Sequence, residues 1–260
     1  MASLETALKR DWAVVLSSLV AVTAVAWLYL VHIALNMAAF PASIEAVMTD
    51  TKPWNAVDFL LMFVMWAVMM IGMMMPGAAP MILLFATVNR KKRESGSPYV
   101  STSLFALGYV LAWTGFSMVA TVLQWQLHAL ALLSPMMVST SGILGGLLFV
   151  AAGIYQWTPL KHACLKNCRS PLDFILNHWR EGPSGTLRMG LEHGTYCVGC
   201  CWFLMGLLFV GGVMNLLWVA AIALFVLGEK VLPSGKWLTS ISGGAMVLVG
   251  SYILHQSLAG

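Results

Sequence analysis

Three thiols and an imidazole open one long apolar run, His193-Gly194-Thr195-Tyr196-Cys197-Val198-Gly199-Cys200-Cys201. On a helix of 3.6 residues per turn, His193, Cys197 and the Cys200/Cys201 pair fall one or two turns apart on one face. Soft donors at that spacing are what a thiophilic metal needs. Leu or Val would serve a merely lipid-facing helix as well. Upstream, Cys164 and Cys168 form a C-x3-C pair that shares a face if the stretch is helical, with His162 pointing elsewhere as the weaker donor. A lone buried cysteine packs as a small hydrophobe. Five of them within 38 positions, with His193 on the Cys197 face, point to a metal instead.

A second soft-donor pattern lies upstream. Asp58, Met62, Met65, Met69 and Met73 recur every three or four residues, a stripe that starts at a carboxylate. Thioethers hold Cu(I) well and Zn(II) poorly, so copper as Cu(I) is the favoured ion. Zinc in a closed four-ligand thiolate site is the alternative. Asp58, Met65, Met69 and Met73 read as stations on a metal path leading toward the thiols. The competing reading is packing, since Met is a flexible apolar filler, and Asp58 lies where it can cap a helix.

These donors need a scaffold, and composition says which kind. Of 260 residues, 60% are hydrophobic and 9% charged, against roughly a quarter charged in soluble domains. Several apolar runs of about 18 residues or more indicate a polytopic membrane protein, and backbone pairing inside lipid requires helices. The expected fold is all-α: a transmembrane bundle of about seven helices forming a single domain over residues 1–260. The spans are expected near 12–35, 56–88, 99–127, 136–158, 188–210, 213–231 and 236–256. Pro76-Gly77-Ala78-Ala79-Pro80 predicts a kink or break in the second. Gly211-Gly212-Val213-Met214-Asn215 predicts a tight hairpin between the fifth and sixth.

With seven alternating spans, 13 of the 14 Lys and Arg residues fall on one side and only Lys52 opposite. The positive-inside rule then places the N-terminus in the cytoplasm and the C-terminus outside. The thiols sit at the cytoplasmic end, where they stay reduced. The Cys-containing loop, about 159–187, is cytoplasmic. Within it Leu172, Ile175, Leu176 and Trp179 predict a short amphipathic helix on the membrane surface, begun by Pro171 and ended by Gly182-Pro183. Without a basic stripe interleaved with aromatics, nucleic acid is excluded as a partner. The lipid bilayer and a metal ion are the expected partners, with a metallochaperone or a membrane complex as the protein partner.

The stretches Met73-Met74-Met75-Pro76-Gly77-Ala78-Ala79-Pro80-Met81, Pro159-Leu160-Lys161-His162-Ala163-Cys164 with Cys168, His193 to Trp202, and Gly211 to Leu216 carry a resemblance. Together they resemble a bacterial family of predicted metal-binding integral membrane proteins of unknown function. The similarity covers most of the chain after the first span. It implies an inner-membrane protein whose metal ligands are Cys164, Cys168, His193, Cys197, Cys200 and Cys201.

The function expected is soft-metal binding, most simply of copper, in metal transport, delivery or metalloprotein assembly. A binding role is favoured over an enzymatic one, and no catalytic residue is assigned. The enzymatic alternative is a membrane thiol-disulfide oxidoreductase using the C-x-x-C pair Cys197/Cys200, whose thiols would benefit from a helix N-terminus. The third reading is a structural subunit of a membrane complex.

Overall fold

A computed structural model of the chain describes residues 2–39, 54–94, 100–130, 141–232 and 235–259. Among them every regular element is a helix. The order is α1 (Ala2–Ala39), α2 (Ala56–Glu94), α3 (Thr102–Ala129), α4 (Gly142–Gln156), α5 (Pro159–Arg169), α6 (Pro171–His178), α7 (Gly182–Gly206), the single turn α8 (Leu208–Gly211), α9 (Leu216–Val231) and α10 (Gly235–Ala259). Polar caps mark where the chain restarts. Ser141 accepts from the Leu144 N–H at 3.2 Å, Thr158 from Lys161 at 3.3 Å, and Asn215 from Trp218 at 3.2 Å. Pro159 and Pro171 occupy the first turns of α5 and α6, where a missing N–H costs nothing.

Five helical stretches are long and apolar enough to cross a bilayer: Trp12–Asn36, Ala56–Lys92, Thr102–Ala129, Gly182–Gly211 and Trp237–Ala259. They correspond to five of the seven expected spans. The expected fourth span is represented by α4, which bends by 66° into α5; its residues 136–140 lie outside the described residues, as do position 99 and Lys52. The expected sixth is α9, with 16 residues. That is about 24 Å at 1.5 Å per residue, somewhat short of a hydrocarbon core of about 30 Å. The hairpin before it is present, turning at Gly212 with φ of 90°, a left-handed backbone that favours glycine.

Of the kink or break expected at Pro76–Pro80, the break is absent: α2 is helical through both prolines. Pro76 has no N–H to offer the carbonyl of Gly72 four residues earlier. That carbonyl instead accepts the indole N–H of Trp27 on α1 at 3.2 Å. A neighbouring helix thus satisfies the group the proline leaves open.

The helices pack pairwise, α1 on α2, α2 on α3, α3 on α7, and α4 on α10. The α3–α7 seam needs small residues. A Cβ added at Gly194 would lie 2.6 Å from the Ala112 Cβ and 3.0 Å from the Tyr109 carbonyl. This close approach brings Tyr109 against the thiol face of α7. The core holds Trp66, Met69, Met70, Met74, Phe85, Phe105, Tyr109, Met189, Cys201 and Met205, all buried.

A short helix forms in the 159–187 stretch, as α6. Leu172 and Leu176 are 58% and 73% exposed, while Phe174 and Ile175 are buried, the Phe174 ring packing edge-on to His193 at 5.3 Å between centroids. Gly182-Pro183 does not end this helix; α6 stops at His178, and Gly182-Pro183 begins α7.

Candidate metal centre

The site is built where α5, α7, α9, α2 and α3 meet. Cys197, Cys200 and Cys201 project from α7 and are buried. Cys164 and Cys168 share a face of α5, one turn apart, and are half-buried. Cys168 Sγ lies 4.0 Å from Cys200 Sγ. Cys197 and Cys201 lie within one turn of Cys200 on α7, so the Cys168–Cys200 approach brings α5 against the thiol-bearing turn of α7. The fifth, Cys164, faces α7 at Gly199, where an added Cβ would come within 2.8 Å of its Sγ. Glycine at 199 is what admits that sulfur. On α5, outside the five long apolar stretches, burial holds the Cys164 thiol above the ordinary thiol range, and the Cys200 sulfur adds to the shift.

Cys197 has the most distinctive surroundings. Lys230 of α9 donates from Nζ to its Sγ at 2.9 Å, and the Tyr109 hydroxyl is 3.1 Å away. The hydrogens of Cys200 and Cys201 point elsewhere, each donating to the Cys197 carbonyl at 3.1 and 2.9 Å. A sulfur that accepts from an ammonium suits a thiolate. Gly77 makes room for the cation: a Cβ there would lie 3.1 Å from Lys230 Cδ and 3.3 Å from Nζ. The Pro76-Gly77 stretch of α2 thus forms one wall of the site, and Tyr109 ties it in by donating to the Met74 carbonyl at 3.0 Å.

A second buried ion pair braces the first. Lys161 of α5 reaches both carboxylate oxygens of Glu229 at 3.0 and 2.9 Å, and Thr239 of α10 donates to the same carboxylate at 3.1 Å. Both partners are almost wholly buried. Adjacent residues of α9 therefore hold α5 through Glu229 and α7 through Lys230, fixing the two cysteine-bearing helices relative to each other.

His193 is buried one turn before Cys197, among the rings of Phe105, Tyr109 and Phe174. Among the described residues its Nδ1 has no hydrogen-bond partner. A buried imidazole nitrogen without a partner is unusual in proteins and is the kind of atom a ligand would satisfy.

The donor chemistry fits a soft ion. With a metal–sulfur bond of about 2.3 Å, two sulfurs of a tetrahedral site lie about 3.8 Å apart and those of a linear unit about 4.6 Å. The 4.0 Å between Cys168 and Cys200 falls between these limits. Among the described residues, no three His, Cys, Asp or Glu side chains are already gathered into a metal-holding group. Rotation about χ1 is what would aim the neighbouring sulfurs at one ion.

The methionine stripe is buried: Met65, Met69 and Met73 all lie in the core along α2. Met62 is half-buried, its sulfur 3.8 Å from the Gln124 amide nitrogen. Asp58 completes the cap of α2. Its Oδ2 accepts the Asn55 N–H at 3.0 Å while Asn55 Oδ1 accepts from Val57 and Asp58, a reciprocal capping box. His162 is exposed, its Nδ1 2.8 Å from the Thr158 carbonyl.

Lys230, Tyr109, Lys161 and Gly77 are the site residues that local spacing does not reveal. Glu229-Lys230 carries a usable signal, since ionisable residues closing an apolar run mark functional positions. Tyr109 carries none; it meets Cys197 across 88 positions.

A family model described as PpoB2, copper chaperone, matches residues 63–253, which is well over half of the chain. No curated protein and no solved structure matches it.

Proposed function

The chain belongs to the PpoB2 copper-chaperone family, and from that premise we propose that it is a membrane-embedded Cu(I) chaperone whose cargo is held by cysteine thiolates. The observation that carries this reading is the 4.0 Å approach of Cys168 to Cys200 beside the Lys230-bound Cys197. Cys168, Cys197 and Cys200 hold the ion. Cys201 and Cys164 flank them as exchange partners, and the open Nδ1 of His193 supplies a nitrogen donor. Cargo moves between sulfurs by ligand exchange: one sulfur bonds to the ion as another leaves, and the released thiolate recovers a proton. Met65, Met69 and Met73 line the route on the other side, with Asp58 near its mouth.

In this reading the five long helices cross a bacterial inner membrane, joined by α4 and by α9 to make seven spans, with α5 on the cytoplasmic side. The N-terminus is cytoplasmic, the C-terminus periplasmic and the thiols cytoplasmic. The ion is passed to or from a metallochaperone or an assembling metalloprotein. Three thiolates and one Cu(I) carry a net charge of −2, part of which the Lys230 ammonium offsets in a low-dielectric site.

The test is metal analysis of the purified, detergent-solubilised protein after anaerobic Cu(I) loading. Wild type should retain copper through gel filtration, and Cys197→Ser/Cys200→Ser should lose it. Equal copper in the two proteins would refute thiolate binding. The 4.0 Å Cys168–Cys200 approach also favours a second reading, a thiol-disulfide carrier, because small rotations would bring these sulfurs to bonding distance. That reading requires a Cys168–Cys200 disulfide that forms as a substrate disulfide takes up the two electrons and is reopened by a thiol reductant, while copper content stays low.

A further inference from the structure

Helix α5 has two faces, and only one of them belongs to the thiol site. Cys164 and Cys168 look toward α7. His162, Lys166 and Arg169 recur at three and four residues on the opposite side, where they line an open cleft of about 690 Å³ against α10. Ser170 and Thr239 add hydroxyl groups to its wall. Among the described residues no carboxylate lines it. Glu229, which Thr239 touches, is bound by Lys161 on the inner side.

The height of this cleft is marked independently. Trp157, at the bend between α4 and α5, donates its indole N–H to the Ser240 carbonyl at 3.1 Å, and Trp237 begins the long apolar run of α10 with 75% of its surface exposed. Tryptophans at the end of an apolar helix mark the headgroup level of a bilayer. Below them α10 presents Ile241 and Leu248, 66% and 73% exposed. A cation-lined concavity above an apolar helix face is complementary to a molecule with an anionic head and hydrocarbon tails.

We propose that this cleft is a binding site for the phosphate headgroup of an anionic phospholipid. Lys166 and Arg169, whose guanidinium also donates to the Leu232 carbonyl at 2.5 Å, meet the phosphate charge, Ser170 donates a hydrogen bond, and the acyl chains lie along α10. Basic pockets between membrane helices on the cytoplasmic side bind such headgroups. The cleft volume is within the range of small-molecule sites. The inference rests on the membrane-spanning reading given above. Because the headgroup site and the thiols occupy opposite faces of one short helix, a bound lipid would brace α5 from outside as Lys161 braces it from within.

The experiment reconstitutes the full-length protein in nanodiscs of equimolar phosphatidylglycerol and phosphatidylcholine, then counts co-purifying lipid by native mass spectrometry after transfer to detergent. Wild type should retain phosphatidylglycerol in preference to phosphatidylcholine. Lys166→Gln should weaken that preference about five-fold, and Lys166→Gln/Arg169→Gln about thirty-fold. Lys166 is exposed, so its single variant tests the site even if the Arg169 change disturbs folding. A matched Arg90→Gln/Lys91→Gln variant, elsewhere on the basic side, should leave the preference intact. An equal loss in that control would reduce the effect to general surface charge and overturn the site. Displacement of the lipid by millimolar inorganic phosphate would make free phosphate the ligand and overturn the lipid assignment. Retention unchanged by Lys166→Gln, or captured only by an acidic polypeptide, would do the same. Failure of the membrane reading looks different: the chain would then stay in aqueous solution without detergent.

Discussion

The ammonium of Lys230 and the sulfur of Cys197 lie 2.9 Å apart, on different helices and 33 positions apart in sequence. Both groups are buried. The contact can act on copper in two opposed ways: the cation can compete with the ion for the sulfur, or it can offset the negative charge of a copper–thiolate unit. The second should dominate, because a net negative unit in a low-dielectric site keeps its need for a cation after the ion arrives. Lys230→Met should therefore weaken Cu(I) retention by about 10- to 100-fold, the size of a charge-assisted hydrogen bond of about 1.5–3 kcal/mol. Lys230→Arg should recover part of the loss. Competition against a chromogenic Cu(I) chelator measures this, and tighter binding by Lys230→Met would show that the lysine competes instead.

The Lys161–Glu229 pair makes a different kind of prediction. With both partners almost wholly buried, removing one leaves an uncompensated charge, which costs about 3–5 kcal/mol. Lys161→Met and Glu229→Gln should each lower the thermal midpoint in detergent markedly. Lys161→Met/Glu229→Met should lower it less than Lys161→Met alone, since no orphaned charge remains. An additive double variant would mean that the two residues do not act as a pair.

Local periodicity was enough to read the helical class, the α7 thiol face and the Cys164/Cys168 pairing, because each depends only on residues three or four apart. It was not enough for the elements whose behaviour depends on a neighbour. Pro76 reads as a kink or break when α2 is considered alone, yet the helix continues and Trp27 on α1 takes up the carbonyl that the proline frees. Phe174 of α6 turns inward to pack on His193, a contact that the Leu172, Ile175, Leu176 and Trp179 pattern does not carry. Tyr109 and Lys230 reach Cys197 only once α3, α7 and α9 have packed. Asp58 carried both a capping and a metal-path reading, and its hydrogen bonds to the start of α2 account for the cap.

Gly199 offers a test of how Cys164 is seated. A Cβ at this position would meet the end of the Cys164 side chain at 2.8 Å, with no backbone atom within 4 Å. The thiol can yield by rotating away, so Gly199→Ala should leave the fold intact while expelling Cys164 from its place against α7. Maleimide labelling of Cys164 should become several times faster, with the other four thiols unchanged. At Gly190, by contrast, the added carbon would strike the Phe105 backbone. Gly190→Ala should therefore reduce folded yield. If Gly199→Ala lowered yield as much, position 199 would serve helix packing and not the thiol.

The pH dependence of copper retention follows from proton competition for sulfur. Thiols that are protonated in the apo protein must lose their protons when they bind the ion, so loading releases protons and apparent affinity falls as pH falls. Cys164, whose thiol burial holds above its ordinary range, should join the cargo only toward alkaline pH. Cys197, held beside Lys230, should be a ligand at lower pH than the rest. Retention of Cu(I) should therefore decline steadily from about pH 8 to pH 5, with the chelator competition curve moving to lower affinity at each step. Cys197→Ser should flatten the acidic part of that profile. Affinity that stayed constant or rose on acidification would be incompatible with thiolate ligands and would move the site to the methionine sulfurs of α2, which carry no proton to lose.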